Sequence, residues 1–253
     1  MPRAGSTPMN PTLHKQSLAF GGLVLQQLPL IPGGQMQYYI RNPKSLRNML
    51  ERAFELDMID TLNQDLIHWQ IVYVKLVGKT PSLSGIRVPQ KPEDQGPMRL
   101  IVVAKEILDW TGNRPLQGTM NVLKNFFTCG QGQVVNLDAV IVNNDRDLRN
   151  GSYAIWVKDV READEKNANK SAKDLATLNH LGLTLLERIL LEVDYYLEHG
   201  EHLDVINITL CSGSRVNGNE DVPLVDSGGG WFDIDYGSPT GRSLRICSRS
   251  VYL

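Results

Sequence analysis

The stretch from Leu175 to Leu197 constrains the fold more than any other part of this chain. Leu178, Leu181, Leu185, Leu186, Ile189, Leu190, Val193 and Leu197 recur at the 3.6-residue period of an α-helix, and Arg188 and Glu192, four residues apart, can pair on it. The apolar arc is broader than a helix lying on one surface requires. The sequence therefore predicts a helix packed on more than one side, central to the fold or shared with a second subunit. Gly200 ends it, and His199 meets the negative end of the helix dipole.

Around this helix, the fold class expected is α+β: mixed or mainly antiparallel sheets with hairpins, packed against two or three helices that include one long buried helix over 175–199. Residues 1–16 read as a flexible N-terminal arm because Pro2, Gly5, Pro8 and Pro11 leave little apolar content to order it. Residues 17–78 read as a β-β-α-β segment: strands at Leu23–Leu28 and Gln35–Arg41, a helix capped by Asn42 with Pro43 in its first turn, and a strand from Leu66 to Val77. In that last run Ile67, Trp69, Ile71 and Tyr73 alternate with His68 and Gln70, a period of two.

Residues 79–97 hold Pro81, Pro89, Pro92 and Pro97 among charged residues, which excludes a regular ladder and predicts a linker or a functional flap. Residues 98–160 form a central α+β segment with a buried strand at Leu100–Ala104 and a helix at Pro115–Thr128 stopped by Gly130. A hairpin follows, joining Val134–Val142 to Tyr153–Val160 through Asn150-Gly151. Arg161–Lys173 reads as a charged surface connector. Residues 171–253 carry the long helix and short strands at Val205–Leu210, Pro223–Val225, Trp231–Tyr236 and Leu244–Ser250, and all these segments are compatible with one domain.

Composition narrows the function classes. A net charge of -2 and a pI near 6.2 provide no global positive field, so no nucleic-acid partner is expected, and Arg242, Arg245 and Arg249 read as solvated strand residues. The apolar run Leu18–Ile31 is broken by Gln26 and Gln27 and is too short to span a bilayer, so no membrane partner is expected. Cys129, Cys211 and Cys247 are widely spaced, which favours reduced thiols and a cytoplasmic setting over a disulfide framework, with a Cys211–Cys247 pair as the alternative.

The chemistry-bearing residues cluster late in the chain. Asp226-Ser227-Gly228-Gly229-Gly230 has the composition of a serine-protease nucleophile segment, but no His-Cys segment precedes it and a glycine-rich turn is the expected structure. Asp233 and Asp235 would share one face of a strand, where a cation, an arginine or water would relieve their repulsion. His199 and His202 flank Gly200, which breaks the helical geometry a shared metal would need, so neither a metal nor a cofactor is expected. Thr209–Arg215 ends a strand in small hydroxyl residues and an arginine, an arrangement suited to an anion or polar ligand.

From these residues the leading expectation is a non-catalytic binding or assembly module. Its polar C-terminal β surface lies between Arg215 and Arg245, with Trp231 as the anchoring aromatic and Asp226, Asp233 and Asp235 as acceptors for a small polar ligand. Self-association through the long helix or a protein partner would accompany it. The alternative is a hydrolase, metal-assisted or not, using Asp233, Asp235 and His199 or His202.

Overall fold

The computed structural model describes residues 64–218 and 220–253. The arm at 1–16, the strands at Leu23–Leu28 and Gln35–Arg41 and the helix beginning at Pro43 lie outside the described residues. Among those described, six α-helices and nine strands alternate in an α+β arrangement.

The first helix, α1 (Gln64–Val77), occupies the run expected to be a strand. Its buried residues are Trp69, Val72, Tyr73 and Leu76, a spacing of three and four that the alternation of Ile67, Trp69, Ile71 and Tyr73 concealed. The run is apolar on most positions and fits both periods. Its fourteen residues exceed an ordinary strand, and three polar bonds fix it as a helix against strand β1 (Met98–Val103). Trp69 Nε1 donates to the Leu100 carbonyl at 2.8 Å, Tyr73 Oη donates to the Val102 carbonyl at 2.8 Å, and the Ala104 amide donates to Tyr73 Oη at 3.1 Å.

Between α1 and β1 the Pro-rich residues 79–97 contain no helix or strand, as their composition requires, yet they lie against the protein. Leu83 is buried, and the Pro89 carbonyl accepts from Trp156 Nε1 at 2.8 Å.

All six residues of β1 are buried, the pattern of a strand covered on both faces. Its partner is β4 (Tyr153–Lys158), antiparallel with Met98 opposite Lys158 and Val103 opposite Tyr153. The expected hairpin between Val134–Val142 and Tyr153–Val160 is therefore not formed. Residues of its first arm make a short helix, α4 (Leu137–Val140), and strand β3 (Ile141–Asn144), which pairs with β6 (Ser214–Val216). Asn150-Gly151 does turn the chain, closing a 3-10 turn at Leu148–Asn150 in which Gly151 has φ 127°, but the strands on either side find other partners.

Helix α2 (Ile107–Trp110) leads to α3 (Pro115–Leu123), with proline in the first turn as expected. The Asp138 carboxylate accepts from the Leu116 and Gln117 amides, capping it. The helix ends before Thr128, and Gly130 instead lies in β2 (Cys129–Gly130), parallel to β8 (Phe232–Gly237). That strand belongs to a five-stranded sheet of order β2-β8-β7-β5-β9, with β5 at Ile208–Leu210, β7 at Val222–Asp226 and β9 at Ile246–Cys247.

The long helix is broken. Helix α5 (Ala172–Thr177) and helix α6 (Leu185–His199) each begin with a capping box, Ser171 with Asp174 and Thr184 with Glu187. In the connection between them, Leu178 is 61% and Leu181 43% exposed, although both fit the apolar period. The cap signal within the run, Thr184 with Glu187, outweighed its periodicity. Every residue of α6 from Leu185 to Asp194 is buried by the chain itself, which accounts for the broad apolar arc. Its core neighbours include Met120 and Leu123 of α3, and each such buried side chain contributes roughly 1.5–3 kcal/mol.

The connector expected to be solvated, Arg161–Lys173, buries Ala163, Asp164, Asn167, Ser171 and Ala172, and Asn167 Nδ2 donates to the Ser248 carbonyl at 2.9 Å. All three cysteines are free, so Cys211 and Cys247 do not pair, and burial pushes the Cys211 thiol up to about 12. No described helix is long and apolar enough to cross a membrane.

Candidate ligand cleft

Two kinds of charged site are built on this frame, one inside and one at the surface. The inner one follows α6, whose buried face carries Glu187, Arg188, Glu192 and Asp194. Arg188 donates through Nη1 to Glu192 at 2.7 Å and through Nε to Asp204 at 3.0 Å, with its Nη2 2.8 Å from the same Asp204 oxygen. Arg249 donates to the other Asp204 oxygen at 2.7 Å and to the Val160 and Arg161 carbonyls. It is 2% exposed, which corrects its reading as a solvated strand residue.

Burial opposes ionisation of Asp204, but Arg249 and Arg188 outweigh it and hold the carboxyl below its ordinary range. Further along the helix, Asp194 takes Arg99 at 2.8 Å and His68 from α1. Burial disfavours the His68 cation, but the Asp194 hydrogen bond and charge prevail, so His68 titrates above 6.5 and Asp194 below 3.8. At the first turn, Arg146 grips Glu187 with Nε at 2.6 Å and Nη2 at 2.8 Å. The carboxylates Glu187, Glu192, Asp194 and Asp204 are all buried, and each is paired with an arginine.

The surface site is a cleft of about 430 Å³ between α5, β3 and β6, with Gly218, Glu220 and Pro239 at its rim. Lys173 from α5 and Arg215 from β6 supply cations, Glu220 a carboxylate and Asn143 an amide; Ala172, Ala176 and Val216 supply apolar wall. Lys173 is placed by the Ser171–Asp174 capping box and by its own amide donating to the Pro239 carbonyl at 3.1 Å. Arg215 Nη1 donates to the Ser212 and Ser214 carbonyls at 2.6 and 2.8 Å, which anchors the guanidinium. Glu220 has φ 59°, a left-handed backbone that side-chain-bearing residues adopt uncommonly.

Of the six residues read from sequence as a ligand surface, one belongs to this cleft. Arg215 lines the cleft, and none of the other five does. Asp226 and Asp233 face each other across β7 and β8, Asp235 lies opposite Leu224, and burial with the Asp226 charge raises the Asp233 carboxyl. Asp233 also lies over Gly130, where an added Cβ would fall 2.1 Å from its Oδ1. Trp231 is 47% exposed, with its ring against Gly229. Arg245, just before β9, donates through Nε to the Ile206 carbonyl at 2.9 Å, and a Cβ added at Gly228 would lie within 4 Å of both its Nη2 and Asp226 Oδ1.

His202 Nδ1 donates to Glu192 at 2.8 Å, and His199 Nε2 lies 3.4 Å from Arg99 Nη2, so both histidines are engaged with groups of the α6 network. Among the described residues no group of three or more His, Cys, Asp or Glu side chains is placed to hold a metal ion.

Lys173, Asn143 and Glu220 were not legible as site residues. They come from three separate stretches, and only the pairing of β3 with β6 and the break between α5 and α6 bring them to one cleft. A second buried polar chain was missed for the same reason: His180 Nε2 lies 3.1 Å from Ser248 Oγ, which lies 3.0 Å from Ser212 Oγ, and Gly182 packs over both hydroxyls. Desolvation lowers the His180 pKa, so this ring is neutral near pH 7. Compared with protein-family models, with curated proteins and with solved structures, the chain matches none.

Proposed function

We propose that the protein is a non-catalytic binding module that takes a small anionic ligand in the cleft between α5 and β6. The observation that carries this reading is the pairing of Lys173 with an anchored Arg215 in a concavity of ligand size, against a single carboxylate at Glu220. Ligand pockets of roughly 300–1,000 Å³ with a few convergent polar groups are the usual form of small-molecule sites. The guanidinium is held in place by main-chain carbonyls before any ligand arrives, which lowers the ordering cost of binding.

The remaining five residues of the C-terminal surface are not needed for this function. Self-association through the long helix is not part of it either, because Leu185–Asp194 offers no free face.

Calorimetric titration with inorganic phosphate at low ionic strength tests the reading. Binding should weaken at least tenfold in Lys173→Gln and in Arg215→Gln, and should fall as salt is raised. Phosphate binding that is unchanged in both variants, or no measurable binding to the unaltered protein, would overturn it.

A further inference from the structure

The chemistry of the cleft narrows the ligand further. Arg146 presents the Nε and Nη2 edge of its guanidinium to the two oxygens of Glu187. That edge matches the oxygens of an oxyanion, two donors to one group. In Arg215 the carbonyl contacts use Nη1 alone, and among the described residues no protein group takes its Nε and Nη2 edge. Among the described residues, the edge that Arg146 uses for a protein oxyanion is open in Arg215 to one from outside. With Lys173 beside it, two positive charges face the same cleft, which suits a phosphate group carrying about -1.5 to -2 at pH 7 better than a single carboxylate.

Glu220 adds a second requirement. A bare anion filling the cleft would be repelled by this carboxylate, whereas hydroxyl groups would donate to it and to the Asn143 amide oxygen. The cleft is also larger than a phosphate, and Ala172, Ala176 and Val216 leave room for a carbon skeleton.

We infer that the cleft takes a phosphate monoester of a polyhydroxylated compound, with Lys173 and Arg215 on the phosphate and Glu220 and Asn143 on the hydroxyls. This rests on the anion-binding reading above and goes beyond it in naming the chemical class.

The test titrates the full chain with glucose 6-phosphate, ribose 5-phosphate, glycerol 3-phosphate, inorganic phosphate, glucose and glutamate. At least one phosphate monoester should bind tenfold or more tightly than inorganic phosphate, with glucose and glutamate weaker than both. Glu220→Gln should reduce that preference to threefold or less while tightening inorganic phosphate binding, because the repelling carboxylate is gone, and Lys173→Gln should weaken both phosphate ligands together. If every monoester stays within threefold of inorganic phosphate, or glutamate binds more tightly than all of them, the class is wrong although the anion site stands. If inorganic phosphate itself does not bind, both readings fail.

Discussion

Arg188 and Arg215 carry the same guanidinium under opposite conditions. Arg188 is fully enclosed, with Nε and Nη1 donating to the buried carboxylates of Asp204 and Glu192; Arg215 is half-buried, braced by two carbonyls and part of the wall of an open cleft. A charge inside a protein must be matched by the protein, because removing it from water costs several kcal/mol that only a close partner offsets. A charge on a cleft wall is still hydrated and can exchange water for a ligand. The paired interior therefore marks structure, and the cleft, with its cations in excess, is where we propose that binding occurs.

The largest effect should come from unbalancing the interior. Arg188→Met leaves Asp204 and Glu192 short of a partner and should cost about 3–5 kcal/mol in urea unfolding. A cost below about 1 kcal/mol would mean the network is not closed as described.

Acidity offers a graded version of the same perturbation. Asp194 and Asp204 have folded pKa values depressed below 3.8, so the stability they supply is present above about pH 4 and is lost as pH falls through their folded values. His68 has a folded value above 6.5, so its contribution is complete below about pH 6.5 and disappears as pH rises through the raised value. Thermal melts across pH should show a steep acid limb and a shallow alkaline shoulder, shallow because the His68 side chain is 37% exposed. His68→Gln should remove the shoulder and soften the acid limb, because His68 is the largest influence holding the Asp194 carboxyl down, while the Asp204 part of that limb stays.

The smallest effects belong to the cleft. Arg215→Gln loses its bonds to two carbonyls and should cost roughly 1 kcal/mol, while Lys173→Gln should change stability by less than about 0.5 kcal/mol. Equal and large losses in these variants and in Arg188→Met would erase the distinction between the two regions.

The two regions also differ in how they could be read from the chain. Arg188 and Glu192 are four residues apart on one helix, so their pairing was visible, and so was the broad apolar arc they share. Their burial was not, because Asp204 and Arg249 come from distant segments. At the cleft only Arg215 was identified. Asp226, Asp233 and Asp235 drew attention through their spacing along the chain, and in the fold Asp226 and Asp233 face one another across a β-ladder, with Asp233 folded over a glycine.

What the sequence by itself determined is local. The class of fold, the glycine and proline punctuation, the buried strand at β1 and the α-helical period of α6 all follow from interactions between residues close along the chain. The tertiary structure decided the rest. It made α1 a helix where two periods fitted, through bonds from Trp69 and Tyr73 to β1, and it gave β3 and β4 different partners. Each outcome depends on contacts between segments far apart in sequence, whose energies outweigh the few tenths of a kcal/mol by which local propensity separates the alternatives.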